Sequence, residues 1–215
     1  MRKLEFKQLK KIFIIPVSFV LIMWIVKLVE SSFDINLMSH GVFPQTFSGL
    51  QGIFFSPFIH SDFTHLFHNS YPIIVLGGML YFFYNKIANQ IFIWLFFISG
   101  FWLWVFGGFF SGFAYHIGAS GLIYALASFI FFSGIIRKNP KLAAASLVVI
   151  FLYGSLFWGL LYLKPGISWE GHLSGFLAGL LLALYYKSEG PKRKKYQWEI
   201  EEEMEEILHK KNLLN

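Results

Sequence analysis

Between Ile12 and Leu181 the chain runs through long stretches almost without charge, while both of its ends are dense in Lys and Arg. That distribution leaves few folds open. Runs of about 20 apolar residues match the hydrocarbon core of a bilayer, and a backbone placed there must satisfy its own hydrogen bonds, as a helix does. Only 14% of the 215 residues are charged and 56% are hydrophobic, far from the balance of a soluble domain. The sequence therefore predicts an all-α membrane protein. Its 27 Phe, 7 Trp and 10 Tyr residues read as lipid-facing bulk and interfacial anchors. With no Cys, disulfides, thiol catalysis and Cys-based zinc sites are excluded.

Residues 1–11 form a basic N-terminus, expected in the cytoplasm, with Arg2, Lys3, Lys7, Lys10 and Lys11. The apolar run from Ile12 to Val29 lacks the short apolar core and small-residue cleavage site of a signal peptide, so it reads as an uncleaved first span. From Glu30 to Thr64 comes a long connection, rich in Phe, that is expected to lie partly in the membrane interface. Further spans are expected from His65 to Tyr84, Ile91 to Phe110, Gly118 to about Ile136 and Ala143 to Leu163, with a last one ending at Tyr186. These six fill residues 12–186 as one bundle and leave no room for a second domain. Residues 187–215 form a charged tail in which Ile200, Met204, Ile207 and Leu208 share one face of a short amphipathic helix. With the N-terminus in the cytoplasm, 16 of the 18 Lys and Arg residues fall in cytoplasmic segments, and only Lys27 and Lys164 fall outside. The net charge of +6 is thus an orientation signal, not a sign of a nucleic-acid partner, and both termini are expected on the cytoplasmic side.

That orientation sends spans two, four and six inward from the outer surface, so the polar groups at their starts gather at one depth: His65 and Asn69, Ser120, and His172. From Leu173 to Tyr186 a helix covers only about 21 Å, short of a core of about 30 Å. The last helix must therefore begin near Ser168, which sets His172 about one turn below the outer surface. An ionisable residue there must face the bundle interior or a water-filled cavity. Ser120 stands in Gly118-Ala119-Ser120-Gly121, where small neighbours admit a substrate backbone to the hydroxyl. Gly171, Gly175 and Gly179 make a side-chain-free strip on span six along which span four can pack. Their close approach would join an imidazole to a hydroxyl, the pair needed for general-base activation. No acid is evidently placed to complete a triad. Glu170 is two residues from His172 and does not share its face, while Asp62 lies in the right half of the membrane. A Ser–His dyad is expected, with Tyr124 packing on the imidazole. His65 and Asn69, four apart, share a face and can donate to an oxyanion, assisted by the Ser120 backbone N–H. A metal site at His60, His65 and His68 is a competing reading, without a helical carboxylate ligand or an HExxH motif. His116 is expected in a loop at the membrane surface, and His40 and His209 at solvent or interface.

The run His60-Ser61-Asp62-Phe63-Thr64-His65-Leu66-Phe67-His68-Asn69 fits HxxxxHxxxN, Gly118-Ala119-Ser120-Gly121 fits GxSG with Tyr124 following, and Gly171-His172-Leu173-Ser174-Gly175 through Gly179 fits GHxxGxxxG. In these motifs, in this order, the chain resembles the rhomboid intramembrane serine proteases over roughly residues 12–186. The resemblance implies a six-helix bundle in which Ser120 is the nucleophile and His172 the base. It makes His65, Asn69 and the backbone of Ala119 and Ser120 the oxyanion site, has Gly118 and Gly121 shape the turn, and stacks Tyr124 on His172. It also implies no metal or cofactor, transmembrane protein substrates cut near their outer ends, and a multi-pass location, here expected in a bacterial inner membrane. The Trp-Arg pair frequent in the family's first loop is absent between Glu30 and Thr64. Two other functions fit the same architecture: an inactive relative that binds membrane helices, and a transporter using His65, Asn69 and His172 as a polar path. The second would need polar residues through the inner halves of the spans, which are apolar.

Overall fold

In a computed structural model of the chain, residues 6–109, 112–140, 142, 144, 147, 168–191 and 197–213 are described. Among them the fold is helical, without strands, and one isolated antiparallel bridge joins Val42 to His116. The helices are α1 (Phe6–Ser32), α2 (Gly52–Phe55), α3 (Phe63–Phe83), α4 (Ala88–Phe106), α5 (Ser120–Ile136), α6 (Trp169–Tyr185) and α7 (Gln197–Leu213). Within α1, and over all of α3 and α4, the helix is long and apolar enough to cross a membrane, and α5 is a shorter apolar helix. The expected fifth span, Ala143 to Leu163, lies outside the described residues apart from Ala144 and Leu147.

Local chemistry sets the helix ends. The Asp62 carboxylate caps α3 by accepting the His65 backbone N–H, and the Ser168 hydroxyl caps α6 by accepting that of Gly171; both occupy orphan donors of a first turn. Ser168 is also where the length argument starts the last span. By contrast α4 stops at Phe106, four residues short of the expected end. Gly107 there turns extended and Gly108 takes a φ of 83°, a conformation that glycine adopts at little cost.

An apolar helix with no polar face belongs at a bundle's centre. Every residue of α5 from Leu122 to Ile130 is buried, and α5 packs against α3, α4 and most extensively α6. Glycine makes the α5–α6 approach possible. A methyl group on Gly175 would overlap the carbonyl oxygen of Gly121, and one on Gly179 that of Ala125, while Ser128 Oγ donates to the Phe176 carbonyl at 2.7 Å. On the other side of the bundle, Pro16 of α1 fits against Gly77 of α3, where an added methyl would come within 2.7 Å of the proline ring. At the end of α5 remote from Ser120, Tyr84 hydrogen-bonds Ser133. Arg137 there donates to the carbonyls of Lys187 and Pro191 at 2.8 and 3.2 Å. Gly190, at a φ of 96°, lies against the Tyr84 ring. The chain leaving α6 is thereby fastened to the bundle before α7, whose Ile200, Met204, Ile207 and Leu208 are all exposed.

Candidate active site

Ser120 is the first residue of α5 and His172 stands in the first turn of α6. The glycine-mediated approach of these two helices brings His172 Nε2 to 3.0 Å from Ser120 Oγ. Tyr124 lies one turn along α5, and its ring stacks on the imidazole with centroids 4.3 Å apart and planes 17° from parallel. With one ring face covered and a nitrogen bonded, the imidazole is held in a single orientation. His172 is buried among these groups, 8% exposed.

The turn leading into α5 is built on Gly118, whose φ is 101° and whose N–H donates to the Ser56 carbonyl at 2.8 Å. A side chain there would fail twice: the backbone conformation suits glycine, and a Cβ would sit 2.8 Å from both Cε1 and Nε2 of His65. The Cε1–Nε2 edge of His65 thus faces the turn that carries Ser120. The other ring nitrogen, Nδ1, lies 3.2 Å from Ser61 Oγ. Asn69 is buried, donates one N–H to the His65 carbonyl at 2.8 Å, and among the described residues its side-chain oxygen has no partner. Ala119 is buried as the N-cap residue of α5. Gly121 faces the Gly171 carbonyl, 3.3 Å from where its Cβ would be. Behind Ser120 lies a cavity of about 30 Å³ whose lining includes Ser56, Ser99, His116, Ser168 and Gly171, enough for a water molecule among polar partners.

His116 is more enclosed than its loop position suggests. It lies in the loop before α5, as expected, but its side chain is buried in the protein, 7% exposed. Its backbone N–H donates to Val42 O at 2.8 Å and its carbonyl accepts from Val42 N at 2.9 Å. Nδ1 lies 2.6 Å from Ser168 Oγ. Burial pushes its pKa below the usual histidine range, against the opposing pull of the Glu170 carboxylate. Spacing four residues before Ser120 carried no sign of this, because the loop folds back between two segments distant in sequence. His60 is likewise buried, its ring edge-on to His65 at 5.0 Å, and burial together with the His65 imidazole lowers its pKa to about 3. His68, His40 and His209 are exposed. Glu170 is buried and accepts the Gly108 N–H at 3.1 Å. Asp62 is exposed at the α3 cap, where the His65 N–H and then the Ser61 hydroxyl hold its carboxyl below the ordinary range. Among the described residues no group of three His, Asp or Glu side chains gathers to hold a metal.

One cluster was not singled out in the sequence. Lys27 of α1 is buried, paired with Glu30, and bonded to the carbonyls of His60 and Ser61. The signal for it was available: a lone ammonium near the end of an apolar span needs a partner.

Fold and composition together define an integral membrane protein built of apolar helices. More narrowly, the chain belongs to the rhomboid family, whose members are typically serine intramembrane proteases, for the family's domain model, the rhomboid domain, matches residues 48–189. Uncharacterized proteins of Mycobacterium tuberculosis and Mycobacterium bovis are each 32% identical over 186 residues, covering 82% of this chain and 75% of their own length. One of Mycobacterium leprae is 29% identical over 187 residues, covering 82% and 71%.

Proposed function

We propose that this protein is an intramembrane serine endopeptidase that cuts single-span membrane proteins near the outer ends of their helices through a Ser120–His172 dyad. The observation that carries this reading is the 3.0 Å contact between His172 Nε2 and Ser120 Oγ. A neutral His172 with its proton on Nδ1 takes the Ser120 proton at Nε2 as Oγ attacks the scissile carbonyl. The carbonyl oxygen becomes an oxyanion, for which the Ser120 N–H and the second Asn69 N–H are donors, joined by His65 Nε2–H when the Ser61 hydroxyl turns its one proton from Asp62 to His65 Nδ1. As the C–N bond breaks, His172 returns the proton to the leaving amine. Water then attacks the acyl-enzyme by the same route, drawn from the polar cavity behind Ser120. A helical substrate hides its carbonyls in hydrogen bonds, so the target is a segment of weak helix formers that unwinds at the site.

In this reading residues 12–186 form six spans, both termini lie in the cytoplasm, and the protein resides in the inner membrane of a bacterium. The basic-residue asymmetry supports the orientation, and the mycobacterial relatives support the source. The test is reconstitution into vesicles with a panel of single-span substrates. Ser120→Ala and His172→Ala are each expected to lower cleavage by about 10³-fold or more while the proteins remain folded. A fluorophosphonate probe is expected to label Ser120 in the native chain. Cleavage retained by Ser120→Ala would remove the serine from the mechanism, and a folded native chain that neither cuts nor labels would be an inactive helix-binding relative.

A further inference from the structure

A buried ammonium near the end of an apolar span needs a reason to be there, and Lys27 is bonded in a way that gives one. Its Nζ lies 2.7 Å from Glu30 Oε2, 2.9 Å from the His60 carbonyl and 3.0 Å from the Ser61 carbonyl. Three donors meet three acceptors, which is all an ammonium can offer. Glu30 is engaged on its other oxygen as well, accepting the Leu37 N–H at 3.1 Å. Both carbonyls held by Lys27 flank the same residue, so one charge from α1 fixes the main chain on each side of Ser61. The Ser61 hydroxyl in turn sits 2.7 Å from Asp62 Oδ2 and 3.2 Å from His65 Nδ1. It therefore holds the Nδ1 edge of the ring whose opposite edge faces Gly118 and the start of α5.

The geometry points to Lys27 as a positioning residue of the oxyanion pocket: through the backbone around Ser61 it fixes the ring of His65, which it does not itself touch. This rests on the reading of His65 as an oxyanion donor, and it adds a residue of the first span to a site otherwise drawn from α3, α5 and α6. Oxyanion stabilisation requires the donor to be in place before charge develops. A ring free to rock about its side-chain torsions would bind substrate as before yet stabilise the transition state less. The deficit would fall on kcat, not KM.

The experiment is a double-mutant cycle between Lys27 and His65 in the full-length protein, measured with a single-span reporter in vesicles. Lys27→Met keeps the length and apolar stem of the side chain. Lys27→Met/Glu30→Gln also removes the stranded carboxylate while leaving an acceptor for Leu37, and replacing a buried ion pair in this way is often neutral for stability. Either variant is expected to lower kcat at least about tenfold with KM held within about twofold. In a His65→Ala background the same changes are expected to alter kcat less than about twofold, since the ring they act through is gone. A second readout needs no turnover: imidazole ¹⁵N signals, assigned by their loss in His65→Ala and His172→Ala, should move for His65 and stay for His172 in Lys27→Met. An equal loss of kcat in both backgrounds, an unchanged kcat, or an unmoved His65 signal would overturn the inference. If Ser120→Ala cuts as fast as the native chain, it is the protease reading that fails, and the His65 signal alone then decides whether Lys27 sets the ring.

Discussion

Gly118 shows how closely single residues are fitted around Ser120. Its backbone lies where L side chains are strained, and the space a methyl would need is taken by the His65 ring. Gly118→Ala is expected to cost about 1–3 kcal/mol of stability and to displace His65, lowering kcat while Ser120 remains open to a fluorophosphonate. A thermal melt in detergent and a labelling assay check both parts. His60 yields a prediction about pH. Its folded-state pKa is about 3, against 6.5 for a histidine outside the fold. Below about pH 6.5 the unfolded chain binds a proton that the folded chain refuses, so stability falls as pH falls, by at most about 1.4 kcal/mol per unit, until about pH 3. Above that window His60 contributes no slope. Denaturation midpoints measured from pH 7 to pH 4.5 should fall less steeply for His60→Phe than for the native chain, and parallel curves would contradict the assignment.

Helix α6 carries its placement in its own sequence. A span too short to cross unless it began near Ser168, and glycine at every fourth position, were both readable beforehand, and each has its counterpart in the structure, which adds the Ser168 cap. The spacing rules that reveal one helix say little about loops that return from far along the chain. For that reason the burial of His116 against Val42 and Ser168 was not legible, and although Lys27 visibly needed a partner, the carbonyls before α3 that it finds were not legible either. The end of α4 was misjudged for a related reason: a glycine pair inside an apolar run can continue a helix or stop it, and only the turn beyond it decides. Two predictions belong to α6. Gly179→Val drives a branched side chain into the Ala125 carbonyl, and overpacking of this kind costs about 1–3 kcal/mol. It should separate α6 from α5 enough to abolish Ser120 labelling even where the protein still folds. Ser168→Ala removes the cap, a loss of about 1 kcal/mol, and strips His116 of its side-chain partner. A larger fall than the cap alone accounts for would be the mark of that second contact.

Taken whole, the molecule sets a polar cluster at one end of a bundle whose middle is apolar. In the proposed orientation that end is the outer one. Epitope tags at both termini are expected to be accessible from the cytoplasmic face alone, and a tag found outside would reverse the depth assigned to Ser120. At the opposite end, Arg137 and Tyr84 hold the chain as far as Pro191, and α7 starts at Gln197. Six peptide units span at most about 20 Å, so the first turn of that glutamate-rich helix cannot travel farther than this from its mooring. Whatever its uncovered Ile200, Met204 and Ile207 meet must come to the foot of the bundle. Anything held there would be stationed beside the rhomboid fold, at the end of the bundle remote from Ser120.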